Sequence, residues 1–198
     1  MKIIRDRIDS FYTFDNKALG NCFTIVDDDK KYHYEFEIHG MDSKVIYDNI
    51  LHIKDAIAAF RKYNKQIVRF YNSDRSFYFA YDDIHTFKLP VDILQPSKFF
   101  IDQKKYDAIE KYLENERLVV PVTIIDDEYV LLDGHARVKY LIDNYVKMID
   151  VYLDTPDMDC QNRVYIAKEN NLFKVKNMEI LPHEEYLEYL SQTGVLDD

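Results

Sequence analysis

Tryptophan is absent from this 198-residue chain, glycine occurs four times and cysteine twice. Cys22 and Cys160 stand far apart with no Cys-x-x-Cys spacing, which rules out a cysteine zinc cluster and fits a reduced compartment. Basic charge is in deficit: 26 Lys and Arg against 36 Asp and Glu leave a formal net charge of −10. Duplex nucleic acid is gripped by cations that neutralise phosphates, so this balance argues against a broad nucleic-acid footprint while leaving room for a local basic pocket. No apolar run approaches the length of a membrane span, and Met1 to Arg7 has no apolar signal core. A soluble, cytoplasmic protein with no membrane partner is the expectation. There is no internal repeat, low-complexity segment or Gly/Ser-rich tether.

Against these absences stand 17 Tyr and 12 Phe in a chain that is 47% hydrophobic. That is enough to build a core, with aromatic-rich sheets and few tight loops. Two halves read differently. Up to about Lys88, short apolar strands dominate. Cys22 to Val26 and Tyr32 to Ile38 flank a polar turn and read as a hairpin, Val45 to Tyr47 as a third strand, and residues 52–63 as a helix. Gln66 to Tyr71 and Phe77 to Tyr81 read as a second hairpin around Asn72 to Arg75, one face of which is a candidate partner surface. The order implies a small antiparallel sheet with one helix packed on it. Thr86 to Pro90 reads as a linker. The remainder alternates strands and helices: a strand at Val91 to Leu94, a helix capped by Asp102, a strand at Leu118 to Ile125, and a strand at Glu128 to Leu132. A helix bearing Val138, Leu141, Ile142 and Tyr145, a strand at Met148 to Leu153, a helix starting at Thr155-Pro156 and a last helix at His183 to Leu190 follow. Pro121 predicts that its strand begins near a sheet edge.

The segment Asp133-Gly134-His135-Ala136-Arg137 carries the chemistry. A glycine turning from a strand into a helix leaves backbone N–H groups aimed outward, the helix dipole adds partial positive charge, and Arg137 adds a full one. These are the ingredients of a phosphate site formed by Gly134, His135, Ala136 and Arg137; the plainer alternative is an ordinary β–α turn with Asp133 as cap. His135 is a candidate acid, base or phosphate donor, and Asp133 a candidate to orient Arg137 or to act in catalysis. Two metal readings fail on spacing. Asp27 to Asp29 are consecutive and diverge, and His183-Glu184-Glu185-Tyr186-Leu187 has leucine where a zinc-protease helix needs its second histidine. No protein-held metal is expected.

The order Leu94-Gln95-Pro96-Ser97-Lys98, a capped helix, Pro121-Val122-Thr123-Ile124-Ile125, the Asp133 to Arg137 turn and Met148-Ile149-Asp150-Val151-Tyr152 resembles the ParB/sulfiredoxin-like superfamily. The nearest resemblance is to uncharacterised bacterial ParB-like proteins with an Asp-Gly-His-x-Arg turn and a late His-Glu-Glu-Tyr segment, here His183 to Tyr186. It covers about residues 89–190. The resemblance places Gln95, Ser97 and Lys98 beside the glycine turn, with Lys98 toward a terminal phosphate. Sulfiredoxins need cysteine where this chain has His135. Nucleotide-binding ParB proteins often carry a second arginine where this chain has Val138, and residues 155–198 are expected to be too few and too acidic for the helix-turn-helix DNA reader that usually follows. Free-serine kinases show a second histidine where this chain has Ala136 and a catalytic glutamate where it has Lys98.

The resulting expectation is an α/β or α+β fold, with a domain of unknown role at 1–88 and a ParB/sulfiredoxin-like domain at 89–198. Its function would be to bind a nucleotide, carried with Mg2+, or another phosphorylated small molecule. The alternative is a nucleotide-dependent phosphotransferase or hydrolase that uses His135, Asp133 or Asp102 in place of the missing glutamate. DNA-binding or nuclease activity ranks third. Residues 1–88 are expected to supply a protein-partner or self-association surface.

Overall fold

The computed structural model describes residues 1–6, 10–113 and 118–193. The fold is α+β and divides into two compact units, residues 1–85 with 111–119, and residues 86–110 with 120–198. The division falls after His85, and a later stretch of chain belongs to the first unit. The expected boundary at residue 88 does not include that return.

The first unit is built on a six-stranded sheet in the order β1 (Lys2–Arg5), β2 (Cys22–Asp27), β3 (Lys30–His39), β4 (Asp42–Tyr47), β5 (Arg69–Tyr71) and β6 (Phe77–Ala80). A short helix, α1 (Phe14–Ala18), joins β1 to β2, and α2 (Ile53–Arg61) joins β4 to β5. Neighbouring strands are antiparallel except β4 and β5, which run parallel because the α2 crossover returns the chain to the same end. Both expected hairpins are present. Lys2–Arg5 and α1 were not foreseen, since three exposed residues with a half-buried fourth, and a single helical turn, carry no period to read. Alternation along the strands separates the two faces. Phe23, Phe36 and Phe70 point inward with Phe60 of α2, and the Phe36 and Phe60 rings stack at 4.1 Å. Burying a phenylalanine contributes roughly 1.5–3 kcal/mol, so this aromatic layer is the main stabilising element of the unit.

The second unit holds a five-stranded sheet in the order β7 (Phe87–Pro90), β12 (Met148–Leu153), β10 (Val119–Ile125), β11 (Glu128–Leu131) and β8 (Gln95–Pro96). A separate parallel pair joins β9 (Phe100–Asp102) to β13 (Glu179–Leu181). The helices are α3 (Gln103–Leu113), α4 (His135–Asp143), α5 (Cys160–Glu169) and α6 (His183–Thr193). Several expectations need correction. Phe87–Pro90 is a strand paired antiparallel with β12, not a linker. Val91–Ile93 is a 3₁₀ turn, and the strand follows it at Gln95–Pro96. Pro121 lies in the central strand rather than near an edge. It is tolerated because the ladder with β11 starts one residue later, at Val122, while the Pro121 carbonyl still accepts the Leu132 N–H at 3.0 Å. Helix α5 starts at Cys160, with Thr155 and Pro156 in the preceding loop, and Tyr145 lies beyond the end of α4 at 91% exposure. Cys160, Val164 and Ala167 share the buried face of α5 as the periodicity predicts. Among the described residues no helix is long and apolar enough to cross a membrane.

Candidate functional site

Strand β11 ends at Leu131, and the chain enters α4 through Gly134, which occupies the left-handed region at φ +82°. A Cβ there would lie 2.9 Å from Cγ1 of the fully buried Val120 and 3.1 Å from Nη2 of Arg137, so both the backbone angle and the packing require glycine. Gly134 rather than Asp133 is the N-cap, and no side chain caps the helix. The first-turn N–H groups of α4 have no preceding carbonyl within the helix to bond, and Ala136 among them is half-exposed. Arg137 folds back over the glycine. Its side chain is only 12% exposed, and Nη2 sits 3.3 Å from Oδ2 of the more open Asp133.

The strand β8 runs parallel to β11, with Gln95 opposite Val130 and Pro96 opposite Leu131. This register brings Ser97 to His135. The Ser97 N–H donates to Nε2 of His135 at 3.1 Å, and the Ser97 hydroxyl donates to the Leu131 carbonyl at 2.7 Å. Because Nε2 accepts, the ring proton of a neutral His135 sits on Nδ1. His135 is buried at 4% exposure. It joins the turn to the segment after β8, a geometry distinct from a solvent-facing acid or base. Gln95 is likewise buried, and its side-chain amide donates to the Leu172 carbonyl at 2.9 Å and to the Pro96 carbonyl at 3.2 Å. Lys98, half-buried, follows directly.

The sequence reading missed Arg163. From α5, its Nε donates to the Ser97 carbonyl at 3.1 Å while Nη2 lies 2.6 Å from Asp157 Oδ2. That hydrogen bond holds the Asp157 carboxyl below the usual carboxylate range. Ser97 is therefore fixed through its N–H, its hydroxyl and its carbonyl, by α4, β11 and α5 in turn. A lone arginine on a polar helix face gives no sequence signal, since its partner lies 66 residues away.

A second cluster closes the β9/β13 pair. Asp102, 5% exposed, accepts the Lys104 N–H at 2.9 Å, as a cap of α3 should, and both its oxygens lie 3.1 Å from Nδ1 of His183 at the start of α6. In the neutral ring this contact puts the proton on Nδ1 and leaves the Nε2 lone pair free, on a side chain that is 25% exposed. Neither thiol is poised as a nucleophile: Cys22 and Cys160 are both fully buried, and burial pushes both thiols up, away from the thiolate. Among the described residues no group of His, Cys, Asp and Glu is placed to hold a metal ion.

No protein-family model matches the chain, and no curated protein matches it. Among solved structures it is similar to the crystal structure of protein Atu1540 from Agrobacterium tumefaciens, at 15% identity and a TM-score of 0.39, over 56% of this chain and 69% of that one.

Proposed function

We propose that the second unit is a ParB/sulfiredoxin-like module that binds a nucleotide or another phosphorylated small molecule at the Gly134 to Arg137 turn. The observation that carries this reading is the left-handed Gly134 at the mouth of α4 with the Arg137 guanidinium folded against it. A side chain at position 134 would press on that guanidinium, at 3.1–3.2 Å from its nitrogens. The 3.3 Å contact to Asp133 is a weak hold on Arg137, and a phosphate offering two oxygens to the fork is the stronger partner. Ser97, held at three points, keeps Lys98 beside the turn. On this reading the protein works in the cytoplasm.

A second reading, a nucleotide-dependent phosphotransferase or hydrolase, draws support from the Asp102–His183 pair, which is the arrangement of an oriented general base. The net charge of −10 weighs against DNA as the ligand.

The test is a thermal-shift screen of nucleotides and phosphorylated metabolites, with and without Mg2+, run beside Arg137→Ala. A ligand that stabilises the wild type should bind the variant about 1.5–3 kcal/mol more weakly, the scale of a charge-assisted hydrogen bond. Equal affinity removes Arg137 from the site. With such a ligand in hand, Mg2+-dependent phosphate release that is lost in His183→Gln favours the enzyme; binding with no turnover favours the module.

A further inference from the structure

The first unit has a cleft of about 440 Å³ on the face of its sheet opposite the phenylalanine layer. Strand register builds it. Glu37 and His39 of β3 lie across from Lys44 and Asp42 of β4, and Lys44 lies across from Tyr71 of β5. Arg75, from the β5–β6 hairpin, completes the lining. The volume lies in the range of small-molecule sites, roughly 300–1,000 Å³.

One cation in this cleft stands without a carboxylate partner among the described residues. Lys44 is paired with Glu37, and Asp42 accepts from Arg69 Nε at 2.6 Å, so both carboxylates are already neutralised. Arg75 remains. Its backbone N–H is tied to the Asn72 carbonyl at 2.8 Å, but its exposed guanidinium has no carboxylate partner among the described residues. Arg69 also lies 3.6 Å from Asp83, so the charges around the cleft balance, and Arg75 is the lining cation left open to an anion. Beside it stands an aromatic wall, since the Tyr71 and Phe77 rings meet edge to face at 5.9 Å and Phe77 is 61% exposed. A guanidinium fork next to an open ring face suits a flat molecule carrying a single planar anion.

We propose that this cleft binds a small aromatic carboxylate, with Arg75 on the carboxylate and Tyr71 against the ring. The site is independent of the phosphate turn of the second unit, and binding in it requires nothing of that turn.

The experiment is a titration of the full-length, nitrogen-15-labelled protein with sodium benzoate, with cyclohexanecarboxylate and aniline as comparisons, read by amide chemical shifts. Benzoate should give saturable shifts confined to residues 37–44 and 69–77, bind more tightly than cyclohexanecarboxylate, and leave aniline without effect. Arg75→Gln should weaken benzoate about tenfold or more, the loss of one charge-assisted pair. Its side chain makes no internal bond among the described residues, so the free protein's spectrum should be unchanged outside the hairpin. Tyr71→Leu is the independent arm, and it should abolish the preference for benzoate over cyclohexanecarboxylate. Absent or unsaturable shifts, shifts centred elsewhere, or benzoate affinity untouched by Arg75→Gln would each overturn the proposal.

Discussion

Gly134 and Gly40 form a matched pair that separates backbone strain from packing. Both hold positive φ, +82° and +64°, so alanine at either site must enter the left-handed region at roughly 1–2 kcal/mol. Their surroundings differ. A Cβ at Gly40 meets nothing within 4 Å, whereas one at Gly134 comes to 2.9 Å from Val120 Cγ1 and 3.1–3.2 Å from the Arg137 guanidinium. Arg137 can yield, but Val120 is fully buried in the central strand and cannot. Overpacking of this kind costs about 1–3 kcal/mol. The gain from a stiffer unfolded chain is common to both variants and cancels in the comparison. Gly40→Ala should therefore lose about 1–2 kcal/mol and Gly134→Ala about 2–5 kcal/mol. For a unit near 100 residues, each 1 kcal/mol corresponds to about 4–8 °C in Tm. Urea unfolding followed by circular dichroism gives both numbers. Equal losses at the two sites would refute the packing argument.

Two further expectations concern titration and reactivity. The thiols of Cys22 and Cys160, pushed up by burial, should resist a disulfide reagent at pH 8 in the folded protein and react at once in denaturant; rapid labelling of the native form would place either thiol at the surface. Hydrogen bonds from Arg163 and Lys168 hold Asp157 and Glu128 below the usual carboxylate range, so each contributes stability that is complete above the unfolded pKa, about 4, and is lost as pH falls through the depressed folded value. Acid unfolding should consequently begin below about pH 4 and be shallower in Asp157→Asn with Glu128→Gln; an unchanged acid limb would remove these pairs from the account.

Strands and hairpins of the first unit were legible because Phe23, Phe36 and Phe70 alternate with polar neighbours, and a period of two survives in the sequence alone. The Asp102 cap and the buried stripe of α5 were legible for the same kind of local reason. Failures came where a distant partner decides. Phe87–Pro90 reads as a linker until β12 pairs with it, and Pro121 reads as an edge residue because its neighbouring ladder begins one position later. At the turn, the need for glycine was visible. The burial of His135, the clamp from Arg163 and the pairing of Asp102 with His183 depend on contacts across 38, 66 and 81 residues, which no local pattern encodes. The cleft around Arg75 was visible only as an aromatic hairpin, since the register that gathers its charges is a property of the sheet.

The return of residues 111–119 to the first unit bears on how the chain can be made and divided. Tyr112 packs against the phenylalanine core and Lys111 reaches Asp15, so the first unit is finished only by chain that is synthesised after the opening strands of the second. During translation neither unit can mature ahead of the other in the usual head-to-tail order; the first waits for residue 119, by which point 25 residues of the second, 86–110, have already left the ribosome. A protein cut after residue 85 would carry the whole cleft and yet lack part of its own core, so a soluble N-terminal fragment calls for the 111–119 segment to be grafted back.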